Sequence, residues 1–174
     1  DIYTMNKDGS NIKRVTRECN CRYPSWSPDG KKIAFYDWDD FSIYIMNSDG
    51  SNIIRLATGG MNINPAWTPD GKSILFIRSN EDAGSQAYIY RVNPDGSGLT
   101  ALTDESVWPR SFDISPDGHY LVIHNIREGA GMWSAIILFD LRSSQIKSVI
   151  GEQNDINMPA WSPIYTGTAT ESGQ

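Results

Sequence analysis

One stretch of this chain comes back, and its spacing narrows the fold more than any other feature. Pro24-Ser25-Trp26-Ser27-Pro28-Asp29-Gly30 returns as Pro65-Ala66-Trp67-Thr68-Pro69-Asp70-Gly71. It returns again as Asp113-Ile114-Ser115-Pro116-Asp117-Gly118, and a last, incomplete copy is Pro159-Ala160-Trp161-Ser162-Pro163. Counted at Ser27, Thr68, Ser115 and Ser162, the steps are 41, 47 and 47 residues. A period of that length, built from short strands, belongs to arrays of blades.

Turn chemistry explains the recurring residue types. In Ser-Pro-Asp-Gly the proline presets φ at the second position, and glycine accepts the left-handed conformation at the fourth. A second family of turns alternates with the first: Asn6-Lys7-Asp8-Gly9, Asn47-Ser48-Asp49-Gly50 and Asn93-Pro94-Asp95-Gly96. A fourth member, Asp140-Leu141-Arg142-Ser143-Ser144, lacks the glycine. Two hairpins per period give four strands, A to D. Strand B carries apolar residues on both alternating faces, as in Ile33-Ala34-Phe35-Tyr36. A sheet with one wet face alternates apolar with polar, so this pattern predicts a sheet sandwiched between two others. The fold class is therefore all-β, a β-propeller of four-stranded antiparallel blades with about four blade equivalents. The chain opens at strand C and supplies A a fourth time near 157–161. Residues 164–174 lack the strand B pattern, which favours an arc of a larger propeller over a closed four-bladed ring. The repeats occupy 1–163, and 164–174 read as a weak strand or a tail.

Charge and cysteine content exclude some classes. The net charge of −6 argues against nucleic acid as the main partner. No apolar run is long enough for a membrane span. The chain begins with Asp1, which suggests a processed chain or a fragment. Cys19 and Cys21 are separated by one residue; the strain of bridging so short a spacing predicts two free thiols in a loop. A Cys-x-Cys metal site is the lesser alternative.

The stretch Asp1-Ile2-Tyr3-Thr4-Met5-Asn6-Lys7-Asp8-Gly9-Ser10, followed by Arg14-Val15-Thr16 and then by Pro24 to Gly30, resembles the TolB-like, or WD-like, propeller repeats. The likeness runs through residues 1–163. It departs at Ile114, which stands where other copies have Trp, and at Ile164-Tyr165, where Asp-Gly is expected. The resemblance implies a propeller with strand A lining the central channel. It also implies a periplasmic or extracellular interaction module or, alternatively, the substrate-gating domain of a larger serine peptidase similar to prolyl oligopeptidase or tricorn protease.

Where the chemistry lies is less defined. The A–B and C–D turns share one face, and their repetition marks Asp29, Gly30, Asp70, Gly71, Asp117 and Gly118 as structural. Trp26, Trp67 and Trp161 are expected to be buried between blades. The B–C and D–A loops vary, which is where binding residues are usually displayed. Trp38, Asp39, Trp108, Arg110 and Trp133 are the binding candidates there. Asp37, Asp39 and Asp40 could hold calcium, but their spacing does not match an EF-hand and no glycine sits at the sharp turn, so an acidic solvated loop is favoured. No nucleophile elbow is present, and His119 and His124 read as structural or exposed. The sequence thus favours a protein or peptide partner and predicts no catalytic residue, metal or cofactor. The rest of a longer chain or a second copy would complete the propeller.

Overall fold

The computed structural model describes residues 1–79, 86–127 and 133–152. Trp161, the fourth strand A and the 164–174 tail lie outside the described residues. Over the described residues the chain is all β, with no helix and so none able to cross a membrane. A short hairpin comes first: β1 (Tyr3–Thr4) pairs with β2 (Lys13–Arg14). A four-stranded sheet follows, made of β3 (Cys21–Trp26), β4 (Lys32–Asp37), β5 (Ser42–Asn47) and β6 (Ile54–Ala57). The next comprises β7 (Met61–Trp67), β8 (Ile74–Ser79), β9 (Ala87–Val92) and β10 (Thr100–Ala101). The last comprises β11 (Pro109–Ile114), β12 (Tyr120–Arg127), β13 (Trp133–Asp140) and β14 (Gln145–Glu152). Every pairing is antiparallel and each complete sheet runs in chain order. The described residues thus form an open arc of one half-blade and blades 1 to 3, the complete sheets in chain order. β7 touches β3, β4 and β5; β11 touches β7, β8 and β9, so the first strands follow one another along the inside of the arc.

The second strands of blades 1 and 2 divide their side chains between two cores. Ile33 and Phe35 pack towards the half-blade with Ile2, Val15, Cys21 and Met46. Ala34 and Tyr36 pack towards blade 2 with Ile43, Ile45, Trp67, Ile74 and Phe76. Leu75 and Ile77, on the far face of blade 2, meet Leu121, Ile123, Ile137 and Phe139 of blade 3. Each buried Ile, Leu, Val, Phe or Met among these contributes about 1.5–3 kcal/mol, so the inter-blade seams hold the arc together.

The turns obey one hydrogen-bond scheme. Gly30 N, Gly71 N and Gly118 N donate to the carbonyls of Ser27, Thr68 and Ser115 at 2.8–2.9 Å. Ser27, Thr68 and Ser115 hydroxyls donate to Asp29, Asp70 and Asp117. The amides of Lys31, Lys72 and His119 donate to the same carboxylate oxygens. At Gly50 the requirement is spatial as well as conformational: φ is +91°, and a Cβ there would sit 2.2 Å from the Val15 carbonyl oxygen. The turn without glycine puts Ser144 at φ +53° instead, and buried Asp140 accepts from the amides of Arg142 and Ser143.

Two expectations are corrected. Trp67 is buried, but Trp26 is 49% exposed. Trp67 lies over the far face of blade 1, and its amide donates to Ser25 Oγ at 3.2 Å. Trp26 would need the same cover from the preceding blade, and the described part of that blade is only the β1–β2 hairpin. Cys19 and Cys21 are joined in a disulfide rather than free. Their Cα atoms are 5.1 Å apart, against about 6.6 Å for two residues of extended strand, so the segment is bent enough to bring the sulfurs together.

Candidate functional site

The loop face of blade 1 carries an organised cluster. Arg22 lies in β3, and its guanidinium carbon stands 4.5 Å from the centre of the Trp38 ring, which caps the β4–β5 loop. Trp38 also meets Phe41 at 5.4 Å and Tyr36 at 6.3 Å, and Tyr36 stacks on Tyr23 at 5.7 Å. Tyr23 stands at φ +49° in a break of register between β3 and β4. That bulge re-aims the inner strand, and Tyr23 remains 57% exposed. Trp38 is 42% exposed, so the cluster presents an open aromatic surface backed by a buried tyrosine. Burial raises the Tyr36 hydroxyl above its ordinary range, and the Arg22 charge opposes the rise.

Hydrogen bonds fix the loop that bears Trp38. Arg22 donates to Asn20 Oδ1 at 3.3 Å, and Asn20 Nδ2 donates to Asp39 Oδ1 at 3.2 Å. Asp39 N donates to Asp37 Oδ1 at 3.1 Å, and Trp38 N donates to the Asn20 carbonyl at 3.2 Å. Asp40 accepts from Ser42 N and from the Tyr44 hydroxyl, and pairs with Arg55 at 3.1 Å. Burial, with the Asp40 hydrogen bond adding to it, pushes the Tyr44 hydroxyl up to about 12. The acidic loop therefore uses its carboxylates to shape itself.

Asn62 and Arg78 extend the support into blade 2, and the sequence alone did not single them out. Asn62 is fully buried; its Nδ2 donates to the carbonyls of Phe41, Gly59 and Gly60, and its Oδ1 accepts from Arg78 Nε at 2.7 Å. Arg78 donates onward to the Thr58 carbonyl and lies over the Tyr90 ring at 4.8 Å. Burial draws its guanidinium below its ordinary range. This network ties the Trp38 loop to the next blade. Arg22 had a legible signal: it stands five residues before Ser27, as Arg110 stands five before Ser115.

The remaining candidates sit apart from this cluster. Trp108 is half-buried on the approach to β11; its amide donates to Asn125 and its carbonyl accepts from Ile126 N at 3.1 Å. Arg110 is exposed at the register shift between Pro109 and Ser111. His124 Nε2 is 3.1 Å from Ser134 Oγ, and burial, followed by the Arg110 charge, draws the imidazole below its usual value. His119 pairs with Asp117 at 3.2 Å beside the turn. Trp133 opens β13, and its side chain lies outside the described residues. The structure thus gathers Trp38 and Asp39 with Arg22 and Asn20 on blade 1, and leaves Trp108 and Arg110 on blade 3.

Antiparallel four-stranded sheets arrayed about their first strands, with repeated turns on one face and variable loops on the other, define an arc of a β-propeller. The chain belongs to the TolB beta propeller domain family, whose model matches residues 1–165. The fold is similar to that of a putative TolB from Agrobacterium tumefaciens, with 26% identity and a TM-score of 0.70 over 87% of this chain and 58% of that one. It is similar to TolB from Acinetobacter baumannii, with 23% identity and a TM-score of 0.66 over 83% of this chain and 36% of that one. An acylaminoacyl peptidase from Pyrococcus horikoshii shares the fold at 16% identity and a TM-score of 0.59, over 81% of this chain and 26% of that one. This chain therefore spans well under two thirds of the length of these proteins. No curated protein matches the sequence.

Proposed function

We propose that this chain is a non-enzymatic interaction module that takes a protein or peptide partner on its B–C and D–A loop face. The observation that carries the reading is the Arg22–Trp38 pair: a half-exposed indole, stacked by a guanidinium and held by the Asn20–Asp39 hydrogen bonds. Trp, Tyr and Arg are the residues that dominate partner binding, and a rigid anchor loses little conformational entropy on association. Tyr23 enlarges the same surface. The family membership and the Cys19–Cys21 disulfide support a periplasmic or extracellular setting, since disulfides persist in oxidising compartments.

The test is selection of peptides from a displayed random library on the immobilised protein, followed by titration against variants. Peptides that bind the protein should lose about tenfold or more in affinity to Trp38→Ala, in keeping with a hot-spot aromatic. Selected peptides that bind Trp38→Ala and Arg22→Ala unchanged would place the partner surface elsewhere. The alternative reading, a substrate-gating propeller of a larger serine peptidase, draws on the fold likeness to the Pyrococcus horikoshii acylaminoacyl peptidase. A hydrolase domain with a Gly-x-Ser-x-Gly elbow in the same polypeptide would favour it.

A further inference from the structure

The loop that leads into each complete blade is held in place, and each of the three is held differently. Cys21 stands six residues before Ser27 and pairs with Asp37; Asn62 stands six before Thr68 and pairs with Arg78. The two positions are thus equivalent, and both are buried. Asn62 Nδ2 donates back to the carbonyls of Gly60 at 3.1 Å and Gly59 at 3.3 Å. In blade 3 the matching residue is Pro109, which has no such donor, and Asn125 on β12 accepts from the Trp108 amide instead. In blade 1 the hold is covalent: Cys21 is bridged to Cys19, two residues back, as Asn62 is hydrogen-bonded to Gly60.

The single residue inside that bridge is Asn20. Its carbonyl accepts from Trp38 N, its Oδ1 accepts from Arg22, and its Nδ2 donates to Asp39. These bonds are 3.2–3.3 Å long, against about 2.9–3.0 Å at the optimum, and the two side-chain ones are exposed, so water competes for them. Cys21 is fixed from the other side, packed with Ile2, Val15, Ile33, Phe35 and Met46. The bridge therefore ties Asn20 to an immobile base. Three weak bonds to Arg22 and the Trp38 loop then act on a residue whose freedom has already been removed.

A hydrogen-bonded clasp does not respond to redox conditions, and a disulfide does. We propose that the Cys19–Cys21 disulfide is a redox-operated clasp on the surface around Trp38, a device that rests on the interaction role proposed above. Bridged, it holds Asn20 against the loop and keeps the Arg22–Trp38 pair in place. A dithiol reductant opens it. One of its thiolates attacks Cys19 Sγ, on the more exposed cysteine of the two, and Cys21 leaves as a thiolate that takes up a proton. The second thiol of the reductant then displaces Cys19, which is protonated in turn, and closes the reductant's own disulfide. Two electrons and two protons pass to the protein in all. Asn20 is then held by its hydrogen bonds alone, the Trp38 loop loosens, and the surface is complete only under oxidising conditions.

Amide hydrogen exchange of the free protein, before and after dithiothreitol, gives the test. Trp38 N and Ile126 N make the same bond in blades 1 and 3, to the Asn20 and Trp108 carbonyls. Reduction should speed exchange at Trp38 about tenfold or more and leave Ile126 unchanged. Peptides selected on the oxidised protein should lose about tenfold or more in affinity on reduction and regain it on reoxidation. Cys19→Ser, which leaves the buried Cys21 in place, should behave as the reduced protein does, with or without dithiothreitol. Exchange at Trp38 that ignores reduction would overturn the proposal. Equal acceleration at Ile126 would do the same, because it marks a loss of stability throughout the arc. Exchange needs no partner, so it judges the clasp even where peptides bind Trp38→Ala unchanged, the result that sinks only the interaction role.

Discussion

Trp67 and Trp26 occupy one repeat position in two environments, and truncating each measures what an adjoining blade contributes. Trp67 lies among Ala34, Tyr36, Ile43 and Phe76, while Trp26 is half open to solvent. A buried tryptophan removes roughly 200 Å² from water, worth about 5 kcal/mol at ~25 cal/mol per Å². The unmet Nε1 offsets part of that by about 1–3 kcal/mol, and the cavity left by truncation adds to the loss. Trp67→Ala should therefore cost about 3–5 kcal/mol, with a fall in melting temperature of roughly 6–20 °C for a chain of this size. Trp26→Ala should cost less than about 1 kcal/mol, as surface substitutions do. Urea unfolding followed by far-ultraviolet circular dichroism, with the slope unchanged between variants, gives both values. Equal losses at the two positions, or a loss under about 1 kcal/mol at Trp67, would refute the assignment of blade-to-blade burial as the cause.

Three further outcomes are expected. Gly50→Ala should be more destabilising than Gly9→Ala: both residues have positive φ, but only at Gly50 does a Cβ meet a backbone oxygen, so their difference in denaturant unfolding isolates the clash. Asp140, held at about 2 by the Arg142 amide above all, binds protons more weakly folded than unfolded. Its contribution should be complete above the unfolded value of about 3.9 and lost as pH falls towards 2, which carboxyl-carbon chemical shifts and acid unfolding report together. Thiol counting on the unfolded, unreduced protein should find no free thiol, and reduction should add two hydrogens to the intact mass.

Much of the architecture was legible because it is repeated. Ser-Pro-Asp-Gly and Asn-x-Asp-Gly fix turn geometry locally, and Ile33-Ala34-Phe35-Tyr36 declares a strand covered on both faces. What escaped depended on neighbours distant in sequence. Trp26 looks identical to Trp67 in its own segment; its exposure follows from which sheet stands before it. The Cys19–Cys21 bridge turned on a local bend that the spacing rule did not anticipate. At the candidate site, Trp38 and Asp39 were found as loop exceptions to the repeat. Asn62 and Arg78 were not, since a buried asparagine that joins three carbonyls to an arginine has no signature in its flanking residues. Phe41, which the Trp38 ring meets, is likewise pinned from the next blade by Asn62.

The turns also touch one another in a regular way. A Cβ added to Gly71 would lie 3.7 Å from Pro28 Cδ, and one added to Gly118 would lie 3.5 Å from Pro69 Cδ. Each contact joins the trailing glycine of one motif to the leading proline of the motif before it, a head-to-tail relation. At the turns, each complete motif carries both the proline and the glycine that this contact uses. A duplicated period would carry both halves of this turn contact, the proline that receives and the glycine that approaches. The repeated turn face can thus stay constant from blade to blade while the loops on the far face differ.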